Sequence, residues 1–448
     1  MFKTLKNAWK IQEIQNKILF TLLIILLYRI GSAIPVPFVS ESILEQFNTY
    51  YGGTIFGYMS ILSGGAMAQA TLLALSVQPY ITSSIIIQLL TVAFPDSLGK
   101  LAKEGEEGQA KIKKYTRWVT IAIAIVTAYG YTALLGNGQN GSSWLNPEYI
   151  TWKGAWSTNG IEGTLYSLVI IASFVAGASI VMWLAELIDA KGIGNGISMI
   201  LFFNIISRVP SLLAQMWAMV VGNENLVVGI LLGVLSVAVS IGMVLLVVWV
   251  THSERRIPIQ YAKRVVGRKM YGGQGTHLPI KLNMTGVMPI IFASSIVSVP
   301  ATIATFFGTG SDVYKFVDAW LGPKSWIYVI IYVILIVAFA YFYILISFNP
   351  IEVANNIKNQ GGSVPGIRTG RPTAEYITKI LNRITLIGAF FLIIVAGLPM
   401  VANIISGGSF ASLAFGGSSL LIVVGVAIET FRDIEAQITM RNYKGFLD

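Results

Sequence analysis

The chain has 448 residues, a formal net charge of +10 and no cysteine, and it is 54% hydrophobic but only 12% charged, with a mean hydropathy of +0.70. A soluble domain carries roughly 25% charged residues, so most of this chain is written for hydrocarbon rather than water. Lack of cysteine excludes disulfides, thiol nucleophiles and thiolate metal sites. The two histidines, His252 and His277, share one basic loop, so neither a metal nor a cofactor is expected.

Taken in chain order, FKTLKNAWKIQEI comes first. It sets Leu5, Ala8 and Trp9 on one helical face and lysines on the other, which suits a helix lying on a membrane surface. The run that follows resembles a signal peptide at its start, with lysines, Ile18–Leu27 and then Gly31-Ser32-Ala33. It continues past a typical apolar core and carries Arg29, so it is read as an uncleaved first span.

Apolar runs of spanning length then fall at about 18–35, 72–93, 116–136, 164–187, 193–213, 226–250, 284–304, 326–347, 380–401 and 411–430. Ten spans predict an all-α polytopic membrane protein. They divide into an N-terminal half, 1–220, and a C-terminal half, 221–448, although no sequence repeat relates the two. With the N-terminus inside, 26 of the 31 Lys and Arg lie on the inner side and 4 on the outer, Arg29 lying within the first span. That asymmetry places both termini in the cytoplasm.

Phe56 to Leu90, FGYMSILSGGAMAQATLLALSVQPYITSSIIIQLL, is the most informative stretch. Gly57 to Thr71 is too short and too rich in Gly and Ser to span alone. Leu72 to Val92 is long enough, yet contains Gln78-Pro79 and Gln88. Broken, polar helices persist at membrane depth only when buried in protein or lining an aqueous path, so this stretch marks a pathway. Pro79 and Pro289 lie inside the second and seventh spans, where proline is expected to kink a helix. GIGNGIS, 192–198, offers three glycines to a tight turn between spans four and five and is not a nucleotide loop.

The long loops lie on the inner side. In loop 251–282, Ile257, Ile259 and Tyr261 alternate with Pro258, Gln260 and Ala262, which predicts a strand pair or extended finger. This loop carries seven Lys or Arg against one acid, Glu254. Loop 348–379 has the Gly/Pro-rich tip GGSVPGIRTGRP with Arg368 and Arg371. Both loops serve as topology signals, but their length exceeds that need, and a basic projection suits an acidic protein surface or ribosomal RNA. The candidate docking residues are Arg255, Arg256, Lys263, Arg264, Arg368 and Arg371.

Function classes narrow accordingly. No Asp or Glu lies in a span interior, Glu186 and Glu429 sitting at inner ends; this weighs against an ion-coupled transporter, which usually needs intramembrane acids. No H-E-x-x-H pair or P-loop occurs, so the chain reads as no enzyme and no ATPase. What remains is a transport pathway: a protein-conducting channel or, alternatively, a secondary transporter or channel for a small solute.

Several segments sharpen the choice: GGTIFGYMSILSGGA, ALSVQPYITSSIIIQLL, AKEGEEG, MWLAELIDAKGIGNGISMILF, ERRIPIQYAKR, THLPIKLNMTGVMPIIFASSI, FNPIEVANNIKNQGGSVPGIRTG and FGGSSLLIVVGVAIE. In this order they resemble the SecY family of protein-export channels over nearly the whole chain. The resemblance implies two pseudo-symmetric halves of five helices around a central pore, closed by a half-inserted plug at 57–69 that includes Gly57, Ser63, Gly64, Gly65 and Gln69. It implies an apolar pore ring of Val77, Ile81, Ile197, Leu201, Ile291 and Ile422, with Val77 and Leu201 standing where the family often has isoleucine. Spans two and seven become a lateral gate toward lipid, to which Thr82, Ser83, Gln88 and Asn283 give weak polar contacts of about 0.6 kcal/mol each. It also implies partners: the small SecE and SecG subunits, the SecA motor ATPase, the ribosome and an unfolded secretory or membrane-protein substrate, in the plasma (inner) membrane of a bacterium.

Overall fold

A computed structural model describes residues 8–40, 47, 55–137, 143–153, 156–157, 160–221, 226–261, 264–266, 269–271, 275–304, 307, 311–322, 325–405 and 416–444. One helix occupies each predicted span. In chain order the elements are α1 (Gln12–Gly31), α2 (Ile55–Leu62), α3 (Gln78–Ala93), α4 (Leu98–Lys103), α5 (Glu106–Asn137), the strands β1 (Trp152–Lys153) and β2 (Trp156–Ser157), α6 (Gly160–Lys191), α7 (Gly196–Val221) and α8 (Leu226–His252). There follow β3 (Glu254–Tyr261), β4 (Arg264–Val266), β5 (Lys269–Tyr271), β6 (Gly275–Lys281), α9 (Met288–Ala304), α10 (Asp312–Leu321), α11 (Trp326–Ser347), α12 (Pro350–Asn359), β7 (Gly362–Ser363), α13 (Arg371–Ile405) and α14 (Gly416–Lys444). Among the described residues, 6 helical stretches are long and apolar enough to cross a membrane unaided, and parts of α7 and α9 form shorter apolar helices.

Contacts sort the helices into two groups. In one, α3 packs on α5, α5 on α6, and α6 on α1 and α7; in the other, α9 packs on α11, α11 on α13, α13 on α14, and α14 on α8. The groups meet along two seams, α3 against α9 and α7 against α8 and α14. Outward faces stay apolar: Leu23 and Leu26 on α1, Leu231 and Val234 on α8, and Ile330 and Ile334 on α11 are all exposed. Apolar surface on this scale is stable only against lipid or a partner.

The second span departs from the expected continuous helix. Residues 63–70 and 72–77 are turns, Thr71 forms an isolated bridge to Pro35, and α3 begins only at Gln78. Its 16 residues extend about 24 Å at 1.5 Å per residue, short of the roughly 30 Å hydrocarbon core. Pro79 therefore lies in the first turn of α3, and Pro289 is likewise the second residue of α9. There a missing N–H costs no helical hydrogen bond, so neither proline kinks a span; the interior prolines are Pro210, Pro300 and Pro399. The turn run fits against α6 because Gly177 carries no side chain: a Cβ there would lie 1.8 Å from the Leu72 carbonyl oxygen.

The 251–282 loop forms the expected finger. β3 and β6 pair antiparallel from Glu254↔Lys281 to Gln260↔Gly275, and β4 pairs with β5. The period of two holds, since Ile257 and Ile259 are buried and Arg255, Arg256, Pro258 and Gln260 exposed. Sequence reading did not anticipate that the second basic loop joins this sheet, β7 pairing with the far edge of β3 at Gln260 and Tyr261. Ile257, Ile259, Ile280, Ile357, Val364 and Ile377 form a separate small core that fixes both loops together. At the N-terminus, Leu5 lies outside the described residues, Ala8 is buried with Ile14, Ile193 and Ile434, and Trp9 is exposed.

Candidate functional site

The six predicted ring residues come from the start of α3, the start of α7, α9 and α14. Val77, Ile81, Leu201, Ile291 and Ile422 are buried in one apolar cluster, and Ile197, half-buried, packs against it. Val77 is the N-cap residue of α3, and Ile81 follows one turn later. Ile197 opens α7 just after the glycine turn, where Gly194 has φ +76°. The Asp189 Oδ1 accepts from the Gly196 N–H at 2.7 Å and the Asn195 Oδ1 from the Ser198 N–H at 3.1 Å, so one capping oxygen comes from the last turn of α6 and the other from the glycine turn.

The segment read as a plug sits directly against this cluster. Only its first part is helical: α2 ends at Leu62, not at Gln69. The Gly64 N–H then bonds the Ile61 carbonyl at 3.0 Å and the Gly65 N–H the Ser60 carbonyl at 2.8 Å, a Schellman end that needs left-handed residues. Gly64 and Gly65 supply them, with φ +68° and +93°. Gly57 and Ser63 are buried and Gln69 is exposed. Leu62 and Met59 share a cavity of about 30 Å³ with Val77 and Leu201. Phe56, Met67 and Ala70 pack on the other side with Tyr131 and Phe174 of α5 and α6, and the Tyr131 hydroxyl donates to the Met67 carbonyl.

The predicted gate residues do not meet across the α3–α9 seam. Ser83 is buried against α5, its Oγ 2.5 Å from Thr120 Oγ1. Thr82 bonds its own helix at the Gln78 carbonyl, 3.1 Å, and Gln88 the Ser84 hydroxyl, 3.3 Å. Asn283 precedes α9 and accepts from Thr285 at 3.3 Å. A side-chain bond that does cross the seam is Gln78 Nε2 to Ser295 Oγ, 3.2 Å. Helical phase explains the difference: Ser83 lies five residues on from Gln78, about 140° further round α3 at 100° per residue.

Asn283 and Thr285 instead line a cavity of about 280 Å³ with Lys281, Glu429, Arg432 and Asp433, where the base of the finger meets α8, α9 and α14. Burial and the nearby Arg432 hold the Lys281 ammonium below its usual range. Burial raises the Asp433 carboxyl, with Lys281 opposing.

Of the docking residues, Arg255 and Arg368 are exposed. Arg256 pairs with Glu254 at 2.7 Å and Arg371 with Glu375 at 3.1 Å, both in the open. Arg264 begins β4, and Lys263 lies outside the described residues. Because β7 joins β3, the two basic loops form one surface.

Sequence reading missed a polar knot at the closed end of the α2 turn. Asn204 Nδ2 donates to the Leu62 carbonyl and to the Tyr28 hydroxyl, each 2.9 Å, and Tyr28 lies 3.1 Å from Ser76 Oγ. An asparagine inside the apolar run FFNII was the available signal, since intramembrane polar groups are costly.

Two groups of apolar helices meet around a buried apolar cluster, with a short broken segment packed against it, the architecture of a membrane channel. The SecY family pattern matches residues 71–431. The SecY protein translocase subunit of Streptomyces galbus is 42% identical over 453 residues, covering 100% of both chains. The chain belongs to the SecY family. Solved structures share the fold at 18% identity, each covering 94% of this chain and 92% of the other. They include a protein-conducting channel with a TM-score of 0.62, one whose plug domain stabilises the closed translocation channel, at 0.61, and Sec61 in a canine ribosome–channel complex, at 0.57.

Proposed function

We propose that this chain is the protein-conducting channel of a bacterial plasma membrane, with both termini cytoplasmic, passing unfolded polypeptides across and releasing apolar segments sideways into lipid. The observation that carries this reading is the buried cluster itself. Six bulky apolar residues from the starts or bodies of four helices join Leu62 in one cluster. A narrow apolar ring dewets and gives ions no ligands, while sealing against any passing side chain. In this reading 57–69 is the plug, the halves 1–220 and 221–448 are pseudo-symmetric, and the α3–α9 seam is the lateral gate. The Gln78–Ser295 bond is its cross-seam polar contact.

The sequence carries no P-loop pattern, so the driving force comes from a partner or from the membrane potential. The joined basic loops suit docking of a SecA-like motor or a ribosome, with Arg255 and Arg368 as exposed contacts. Exposed apolar faces such as that of α8 suit small SecE- and SecG-like subunits. The test is reconstitution with these subunits and the motor, scored by protease protection of an unfolded secretory protein inside the vesicles. Arg368→Glu should fold and insert normally, yet lower motor binding and export about tenfold at low salt, the gap narrowing as salt screens the surface. Unchanged binding and export would remove this residue from the docking surface.

A further inference from the structure

The polar knot at the end of α2 has a chemistry that the ring and gate do not use. Two arginines, Arg29 on α1 and Arg208 on α7, come to the Gly64-Gly65 turn. A Cβ on Gly64 would lie 2.7 Å from Arg29 Nη1, and one on Gly65 2.8 Å from Arg208 Nη1. Arg29 Nη2 donates to the Phe203 carbonyl at 2.8 Å. Neither arginine pairs with a carboxylate among the described residues, and Arg208 Nε is buried without a partner there. A cation held among apolar helices normally requires such a pair. Here both arginines face the C-terminal end of α2, where unpaired carbonyls sum to a partial negative charge. Asn204 closes the arrangement by donating to the Leu62 carbonyl, an end-of-helix acceptor that α2 itself leaves free.

We propose that Asn204, Arg29 and Arg208 form a latch that caps the C-terminus of the plug helix and holds the resting channel shut. The proposal rests on reading 57–69 as the plug. Because Asn204 grips a backbone carbonyl and the two arginines face a helix dipole, an arriving extended chain, rich in carbonyls of its own, can take the plug's place at the same donors. The exchange is then nearly balanced and the plug is freed without a large barrier. The glycines are part of the device: any side chain at 64 or 65 strains the turn and pushes a guanidinium away.

A thiol at Ser60 reports on the latch. Ser60 is buried on α2 with its Oγ unpartnered among the described residues, so Ser60→Cys is nearly isosteric, and the chain has no other cysteine. In resting vesicles the thiol should react slowly with a membrane-impermeant maleimide. Adding Asn204→Leu, which removes the bond to the Leu62 carbonyl, or Arg208→Gln, which removes the cation facing the helix end, should speed labelling about tenfold. Arg208→Lys, which keeps the cation, should stay near the parental rate. Parental labelling rates in both Asn204→Leu and Arg208→Gln would overturn the latch. If Asn204→Leu fails to accumulate, the half-buried Arg208→Gln decides alone. The plug reading is tested separately by stalling a secretory chain in the parent. If labelling does not rise then, 57–69 is not the plug, whatever the latch variants do.

Discussion

Replacing Ile81, Ile197 and Ile291 with serine should raise ion conductance at least about tenfold while a polypeptide occupies the pore, with a smaller leak at rest. The three residues lie on different helices of one apolar cluster, and each serine brings a hydroxyl that holds water where the wild-type ring sheds it. A membrane potential of 100 mV then supplies about 2.3 kcal/mol per unit charge to drive ions through. Cavity formation alone destabilises a core by about 2–5 kcal/mol for isoleucine truncation, so the triple alanine variant is the control: similar lost volume, no hydroxyl. Valine at the same positions should stay tight. Planar-bilayer recordings during translocation distinguish these outcomes. A triple serine variant as tight as wild type would make the cluster packing rather than seal.

Tying α3 to α9 should stop export. Gln78 and Ser295 meet across the seam at 3.2 Å through a long side chain, so a linker longer than a disulfide suits the pair. Two cysteines at these positions, joined by a short reducible bis-maleimide, bridge the gap without interference, because the parent chain has no thiol. Translocation should fall about tenfold or more in proportion to crosslinking, and reduction should restore it; a single interhelical hydrogen bond of about 0.6 kcal/mol offers no such restraint. Near-complete crosslinking with normal export and normal release of apolar segments would place the gate elsewhere.

Much of this architecture was legible because hydrocarbon imposes a simple rule. Every span the hydropathy predicted carries a helix, and the alternation of Ile257, Ile259 and Tyr261 gave the finger its strands. Less legible was anything set by helical phase or by contacts between distant segments. Ser83 and Gln88 are polar residues of the proper span on other faces of α3, and only the fold reveals that Gln78 faces Ser295. The start of α3 was misplaced because Leu72–Val77 is apolar enough for a helix. The positive φ of Ala70 and Ser76 and the close approach of Leu72 to Gly177 break it, and neither is written in hydropathy. Asn204 and Arg208 were passed over for the same reason: their partners, Leu62 and the Gly64-Gly65 turn, lie more than 130 residues away in sequence.

Passage of an unfolded polypeptide through the apolar cluster is tested most directly by a stalled chain. A secretory protein with one cysteine midway is halted in the channel by a folded tail, then oxidised against single-cysteine variants of the natural thiol-free chain. Ile81→Cys and Ile422→Cys, in the cluster, should form disulfides with the stalled chain. Leu245→Cys and Leu345→Cys, on outward faces that are 64% and 77% exposed, should not. Disulfides to the outward positions and none to Ile81→Cys or Ile422→Cys would mean that the polypeptide takes another route, and the account would fail.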